Sequence, residues 1–344
     1  MNASAEATAT FRGDLPADII PHIAAHAREA DLPVEETTTG LVVTPPLARV
    51  ALETCEAMLQ VHIKADDAAA LQNMRDYLLY ILDHVAPGLT ANAKWQGDIL
   101  RNRPPLNFCT ATVRATGRVG PNFLRVEMDC ADTARLAMDR GMHFSLLLPP
   151  AGRNPVWPRL DENGRTVMPE GDDQLHRAAY TFVTLDPARG RFSFDVFEHD
   201  GGRATGWARS ARPGDIVGIT GPGSGGFPPG RDILIAGDET ALPAIRRILH
   251  CSPSDRRGHA IVEVGHAHDI VDLHRPAGMA LTWLVRGRGE TLWDHLSVAP
   301  LPPGRDRYVW VAAEKALVRK AKTRFRQQLG LGANEGYFAY YWEA

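Results

Sequence analysis

No apolar run in this sequence approaches the roughly 20 residues needed to cross a bilayer, so neither a membrane span nor stable membrane insertion is expected. The opening residues MNASAEATATFRGD have neither a basic stretch nor an apolar core, so no secretory leader is expected and a cytoplasmic setting is. Cysteine is scarce. Cys55, Cys109, Cys130 and Cys251 stand apart with no C-x-x-C spacing, which argues against a zinc site, an iron–sulfur cluster and a disulfide framework. The G-x-G-x-x-G dinucleotide fingerprint is also missing from the best strand-to-helix turn. Lys and Arg are dispersed and not gathered with aromatics into a stripe, so nucleic acid is a disfavoured partner.

What is present is a chain of 344 residues, too long for one ordinary core and suited to two or three domains. Hydrophobic residues make up 44% and charged residues 23%, a globular balance. The net charge of -3 conceals a split: residues 1–100 carry 14 acidic and 6 basic side chains, the remaining 244 carry 27 and 32. A basic larger part suits anionic small molecules.

Residues 1–95 read as a small α+β domain. GDLPADIIPHIAAHAREAD predicts a helix capped by Asp14, with Ile19, Ile20, Ile23 and His26 at helical spacing. Strands are expected at VEETTT, LVVTP and MLQVHIKA. A second helix, DDAAALQNMRDYLLYILDHVAPG, puts Leu71, Met74, Leu78, Leu82 and Val85 on one face. Residues 87–105 are polar and proline-bounded and read as a linker. Over 106–228, six β runs separated by Gly/Pro turns predict a six-stranded antiparallel barrel: FCTATVRATGRV, FLRVEMDC, HFSLLLPP, YTFVTLD, RFSFDVFEH and DIVGITGP. Over 229–344, apolar strands alternate with helices and predict an α/β domain with an open parallel sheet. Ligands favour the crevice at such a domain boundary.

Three stretches carry chemistry. In LIAGDETALPAIRRIL an apolar strand runs into Gly237, a polar turn and a helix with Pro243 in its first turn, a geometry that offers free backbone N–H groups to a phosphate. In FEHDGGRATGWARS, Gly201 and Gly202 permit close approach, Thr205 adds a hydroxyl, and the turn at Trp207 and Ala208 presents a helix start to a pyrophosphate. The third is LHRAAYTFVTLD, where Arg177 and Tyr180-Thr181 head an apolar run. Glu263, about 20 residues beyond the phosphate turn, suits a ribose 2′-hydroxyl and NADH, whereas Arg286 and Arg288 suit the 2′-phosphate of NADPH. His266, His268 and His274 lack a third ligand at recognisable spacing, so no metal site is expected.

Seven stretches occur in a family's order and spacing: AYT at Ala179–Thr181, HDGGRATGWA at 199–208, PGDIVGITGPGSGG at 213–226, AGDETALPAI at 236–245, TWLVR at 282–286, VWVAAE at 309–314 and YYW at 340–342. Over about 106–344 the chain resembles the siderophore-interacting proteins, flavin-dependent ferric-siderophore reductases on a ferredoxin-reductase-like scaffold. Residues 1–95 resemble a small domain of unknown function that is fused to, or encoded beside, such reductases. The resemblance implies a β-barrel carrying FAD, a C-terminal NAD(P)-binding α/β domain, FAD and NADPH (or NADH) as cofactors, and a ferric siderophore as substrate. It implies that Tyr180 packs on the isoalloxazine, that Thr181 bonds near N5, and that His199, Gly202, Ala204, Thr205 and Trp207 hold the pyrophosphate. Gly237, Asp238, Glu239, Thr240, Ala241 and Pro243 would meet the nicotinamide nucleotide, with Arg286 and Trp342 beside them. No side chain acts as nucleophile in this scheme.

The family pattern has arginine two residues before the tyrosine, a basic residue two after the threonine and arginine after the Tyr-Trp pair. Here those positions are Ala178, Val183 and Glu343. Arg177 lies one residue early, which in a regular strand turns it to the opposite face. A β-bulge at Ala178 or Ala179 would restore it. Otherwise a charge-assisted phosphate contact of about 1.5 to 3 kcal/mol is missing. Two other readings stay open: a non-catalytic siderophore- or nucleotide-binding protein on the same scaffold, and a general flavin or quinone reductase.

Overall fold

The computed structural model describes residues 4–91, 93–137, 142–223 and 226–343; Ser224 and Gly225 of the glycine-rich stretch and the terminal Ala344 lie outside them. The chain folds as two compact units, one of residues 1–108 with 150–175 and one of 109–149 with 176–344.

The first unit begins with a strand not expected from the sequence. AEATATFR alternates small apolar and polar residues, and as β1 (Ala5–Arg12) it buries Ala5, Ala7, Ala9 and Phe11 on one face. With β2 (Val34–Glu36), β3 (Gly40–Val43), β4 (Ala48–Cys55), β5 (Met58–Ala65) and β6 (Lys94–Gly97) it forms an antiparallel sheet ordered β2-β3-β4-β5-β1-β6. Helices α1 (Ile19–Glu29) and α2 (Ala68–Val85) contribute Ile19, Ile23, Leu71, Leu78 and Leu82 to the same core. Asp18, not Asp14, stands at the start of α1 and makes no capping bond, whereas Asp67 accepts from the Ala70 N–H at 2.8 Å and caps α2. The expected linker is not one. Trp95 inside it is buried edge-on against Phe11, and burying that ring draws Lys94–Gly97 onto the edge of β1.

Residues 150–175 also belong to this unit, through a two-rung ladder of β10 (Arg159–Leu160) and β11 (Thr166–Val167). Arg75 of α2 donates to the Asn163 and Gly164 carbonyls and lies 4.7 Å over the Trp95 ring. Burial lowers its pKa to about 10. Beside it the Thr166 hydroxyl donates to Asp76 at 2.6 Å.

In the second unit, β7 (Phe108–Gly120), β8 (Phe123–Asp129), β9 (His143–Leu148), β12 (His176–Thr181), β13 (Thr184–Asp186), β14 (Arg191–Phe197) and β15 (Ile216–Thr220) are ordered β12-β9-β15-β7-β8-β14-β13. A four-residue helix α3 (Thr133–Leu136) follows β8, and α4 (Arg203–Ser210) follows β14. Seven strands replace the expected six because YTFVTLD is not continuous. It leaves β9 after Thr181, bends at Phe182 and Val183, and pairs with β14 from Thr184. The two ends of the sheet are therefore consecutive in the chain, which curls it into a barrel. Phe144, Phe182, Phe192 and Phe194 fill the interior with ring centroids 4.5 to 6.4 Å apart.

The α/β part has β16 (Asp232–Gly237), α5 (Leu242–His250), β17 (Arg257–Val264), β18 (Gly278–Val285), α6 (Leu292–Val298), β19 (Arg307–Glu314), α7 (Lys315–Lys322) and β20 (Gly336–Trp342), with a π-helical turn Thr323–Gln328 after α7. Its sheet is parallel throughout, ordered β18-β17-β16-β19-β20, so all five strands end along one edge. The order reverses beside β16, where such sheets place their ligands. The tail strand β20 was not foreseen, since GYFAYYW reads as an aromatic terminus until β19 is there to pair with it.

Two buried carboxylates hold this unit in shape. Asp195 of β14 takes Arg125 of β8 bidentately at 2.7 and 2.9 Å and Arg246 of α5 at 3.0 Å, fastening the barrel wall to the nucleotide-type sheet. Asp238, 3% exposed, closes the turn after β16 by accepting from the Thr240 N–H and hydroxyl, and accepts from the Glu314 N–H at 3.1 Å and the Trp342 indole at 2.8 Å. Burial pushes the Asp238 carboxyl above its ordinary 3.8; bonds from Thr240 and Trp342 oppose the rise and Glu239 adds to it.

Asp195→Ala strands two half-buried arginines and is expected to lower stability by roughly 3 to 5 kcal/mol in urea unfolding. Asp238→Ala orphans a backbone N–H and an indole N–H, an expected loss of about 2 to 4 kcal/mol. The raised carboxyl also gives a sign. The fold favours protonated Asp238, so this group's contribution is greatest below the ordinary value of 3.8 and declines as pH rises through its higher folded value. Urea midpoints measured across that range should show this decline in the parent chain and lack it in Asp238→Ala.

Candidate functional site

The strand edge gathers the predicted nucleotide residues. A Cβ on Gly237 would stand 2.7 Å from both the Ala312 carbonyl and the Ala241 methyl, so only glycine lets β16 run this close to β19 and into α5. Asp238 is consumed by the internal bonds just described, Ala241 and Pro243 are buried, and Thr240 sits on the turn. Glu239 and Arg286 face each other, with both terminal guanidinium nitrogens 2.8 Å from the carboxylate. Arg286 Nε also donates to Glu263 at 3.1 Å, and Glu263 accepts the Leu292 N–H at 2.8 Å, at the start of α6. The two residues weighed as opposing markers for NADH and NADPH are thus partners of each other. Bonds from Glu239, then Glu263, hold the Arg286 pKa above its ordinary range. Trp342 rests on Asp238, and Glu343 pairs with Lys315 at 2.7 Å.

On the barrel, β12 and β9 pair one to one from His176↔Leu148 to Thr181↔His143, without a bulge. Arg177 therefore lies on the face opposite Tyr180, exposed, its Nε donating to Ser145 at 3.0 Å. Tyr180 is half-buried, 6.3 Å from the Phe144 ring and 5.0 Å from Phe194, and Phe194 in turn stacks within 3° of parallel on Trp207. Burial raises the Tyr180 pKa, which keeps the phenol neutral.

The turn before α4 is built for close approach. Gly202 is its N-cap, no side chain caps the helix and no acidic residue enters its first turn. A Cβ at Gly202 would collide with the His199 imidazole at 2.7 Å and the Thr205 hydroxyl at 2.9 Å. Thr205 bonds back to the His199 N–H and the Phe197 carbonyl, and Ala204 and Ala208 anchor the helix on the barrel core. Uncapped N–H groups at a helix start attract an anion. These residues fit the phosphates of a dinucleotide; Arg177, turned to the other face, does not join them.

Sequence reading missed three residues that link the two parts. His143 Nδ1 is 3.0 Å from the Thr181 hydroxyl, and its Nε2 is 3.3 Å from the Tyr341 hydroxyl of β20. Burial, with the Arg247 charge, lowers the His143 pKa to about 4. Arg247 of α5 donates to the Phe182 carbonyl at 2.8 Å at the bend between β12 and β13. Only a weak signal marked them: a histidine heading the apolar HFSLLL and one tyrosine of three in the tail.

Elsewhere, a cavity of about 350 Å³ opens on the barrel wall between Arg114, Arg125, Arg191 and Thr184. Arg114 and Arg191 pair with Asp129, Arg125 with Asp195, and the more exposed Arg189, also on its lining, with Asp186. Among the described residues no group of three or more His, Cys, Asp or Glu is placed to hold a metal, and His274 instead packs on His250.

Known proteins resemble this chain over both parts of the second unit. Residues 112–226 match the siderophore-interacting FAD-binding domain and residues 230–344 match the siderophore-interacting protein domain. The chain is 30% identical over 236 residues to the NADPH-dependent ferric-chelate reductase of Escherichia coli, covering 66% of this chain and 90% of that protein. It is 27% identical over 233 residues to the ferric vibriobactin reductase ViuB of Vibrio cholerae, covering 65% and 85%. It matches the mycobactin import ATP-binding/permease protein IrtA of Mycolicibacterium smegmatis at 33% over 184 residues, 51% of this chain, and spans only 21% of that longer protein. Among solved structures, the siderophore-interacting protein SipS from Aeromonas hydrophila superposes with a TM-score of 0.59 at 28% identity, covering 70% of this chain and 92% of that one. A siderophore utilization protein from T. fusca does so at 0.57 and 26%, covering 71% and 95%. The barrel falls within the match to the siderophore-interacting FAD-binding domain and the parallel sheet within the match to the siderophore-interacting protein domain, and the chain belongs to the siderophore-interacting protein family.

Proposed function

We propose that the chain is an FAD-dependent NAD(P)H oxidoreductase that reduces ferric siderophores and releases their iron as Fe(II). The observation that carries this reading is the hydrogen-bonded junction Thr181–His143–Tyr341, which sets the barrel strand bearing Tyr180 and Thr181 against the end of the sheet that would receive the nicotinamide nucleotide. FAD, when bound, supplies the step between a two-electron hydride donor and a one-electron metal acceptor.

The chain's own groups do the rest. The uncapped start of α4, from Gly202 to Thr205 with His199 beside it, would hold the pyrophosphate. Tyr180 would offer its ring face to the flavin and Thr181 its hydroxyl. The Gly237–Pro243 turn would receive the nicotinamide nucleotide, with Trp342 packed beside it through Asp238. Tyr180 stays neutral and His143 stays uncharged at neutral pH, so neither places a charge beside the ring. The substrate is ferric iron held by hard oxygen donors. Reduction gives a softer, less charged ion that those donors hold more weakly, so it is released. This reading sets the protein in the cytoplasm, where NAD(P)H is maintained.

A second reading, a binding protein on the same scaffold, draws on the exposed Arg177 and on Ala178 and Val183, which leave the phosphates without the family's charged partners. Colour separates the two. The purified chain, incubated with FAD and desalted, is expected to stay yellow, to bleach anaerobically with NADPH or NADH, and to yield a trapped ferrous complex from a ferric siderophore. A protein that remains colourless in excess FAD ends the enzyme reading.

Gly202→Val tests the proposed cradle. The added side chain meets His199 and Thr205, so FAD affinity is expected to fall at least about tenfold, roughly 1.4 kcal/mol, with the midpoint of thermal unfolding little changed. Fluorescence titration of FAD reads the first quantity and circular dichroism the second.

A further inference from the structure

We propose that Cys109 and Cys130 are a site of reversible oxidation, where a low-molecular-weight disulfide accepts two electrons and the two thiols join in one intrachain bond. The inference goes beyond the functional reading above and holds whether or not the chain binds flavin.

The strand period places the two sulfurs. Cys109, Ala111 and Val113 of β7 turn inward, as do Val126 and Met128 of β8 and Cys130 just beyond it, and all six are buried in one core. Thr112 pairs with Asp129, so Cys109 lies three residues before that rung and Cys130 one residue after it. Both therefore stand at the open end of the hairpin, away from the turn that Gly120 and Phe123 close. Their sulfurs are 3.8 Å apart. A disulfide needs about 2.05 Å, and the remaining movement of about 1.8 Å is within reach of rotation about the Cα–Cβ bonds of two short side chains.

The surroundings differ from the phenylalanine-filled interior further along the barrel. Contact with Cys109, then the Asp132 N–H and the Arg135 charge, hold the Cys130 thiol below its ordinary range, against the opposing effects of burial and the Asp132 carboxylate. The same contact, with burial, pushes the Cys109 thiol up. The pair oxidises to the same product whichever sulfur donates in the reduced form. Ala131 and Asp132, next in the chain after Cys130, are exposed, which brings solvent to this end of the hairpin.

The exchange balances without another reactant. A Cys130 thiolate attacks one sulfur of the small disulfide, whose S–S bond breaks and whose other half leaves as a thiolate. Cys109, already in contact, then attacks the Cys130 sulfur of the mixed disulfide and releases the second half. Two protein thiols are oxidised, one small disulfide is reduced to two thiols, and the two protons pass to those thiols. The new bond ties the start of β7 to the chain just after β8 and restricts the unfolded chain over the hairpin it closes. The oxidised barrel then resists unfolding more than the reduced one, and a reducing thiol reverses the change.

The test uses the full chain carrying Cys55→Ser and Cys251→Ser, which removes the two exposed thiols and leaves the pair. The folded, reduced protein is incubated with oxidised glutathione at mildly alkaline pH, quenched in acid, unfolded and alkylated. Mass spectrometry is expected to show the loss of two hydrogens, no alkylation and a peptide joining Cys109 to Cys130, with glutathione adducts at least about tenfold less abundant. The midpoint of thermal unfolding is expected to rise by about 5 °C and to return on addition of dithiothreitol. Two alkylated thiols after treatment, or a stable glutathione adduct on either cysteine, overturns the proposal. Adding Cys109→Ser is expected to leave glutathione on Cys130 and to abolish the rise; an equal rise in that variant also overturns it. Should the serine variants fail to fold, a peptide map of the oxidised parent chain decides the same question: a Cys109–Cys130 link supports the proposal and its absence overturns it.

Discussion

A carboxylate held away from water at the point where a parallel sheet reverses its strand order is the constraint on which the second unit depends. Asp238 reaches the turn after β16, the end of β19 and the end of β20 at once. Removed from water, a carboxylate with fewer donors would neutralise itself or disrupt the turn. Four donor contacts instead let it stay at the switch point. The effect is geometric: the strand ends are drawn to one level, Trp342 is laid across them, and Tyr341 one residue earlier is brought to His143 on the barrel. Asp195 acts similarly one layer away, tying two barrel strands to α5 by way of two arginines.

The same economy governs charge around the proposed site. Arg286 is engaged by Glu239 and Glu263, Lys315 by Glu343, Arg125 and Arg246 by Asp195, and Arg177 by Ser145. In the proposed reading, anion recognition on this chain would lean on backbone N–H groups at the start of α4, with Arg203 of its first turn beside them. Backbone donors are fixed by the fold and lose no side-chain entropy on binding, which would partly offset the missing arginines.

Much of this was legible in the sequence. The barrel and the parallel sheet announce themselves through apolar period and Gly/Pro punctuation, and GDETALPAI and HDGGRATGWA locate two of the site's loops because glycine and small residues are required wherever backbone approaches closely. What could not be read depends on partners distant in the chain. Residues 87–105 look like a polar linker until Trp95 meets Phe11. YTFVTLD looks like one strand because nothing local marks the bend that Arg247 secures from α5. Cys109 and Cys130, unremarkable by spacing, lie with their sulfurs 3.8 Å apart in the barrel wall. The pairing of Glu263 with Arg286 was likewise invisible, so two residues weighed as rivals for a ribose belong to one ion cluster.

That cluster bears on which nicotinamide the sheet would accept. Arg286 is 46% exposed at its side chain, while its two carboxylate partners are nearly buried, so the cluster presents a guanidinium edge outward and hides a net charge of one negative unit behind it. A 2′-phosphate approaching Arg286 gains that edge but also meets the field of two carboxylates a few ångströms further in, which at short range and partial burial is screened less than in water. A 2′-hydroxyl meets no such opposition and can donate to either carboxylate. If the nucleotide is bound there, discrimination between the two would turn on whether Arg286 keeps both partners when a phosphate arrives. The short bidentate bonds to Glu239 resist that exchange more than the single longer bond to Glu263 does.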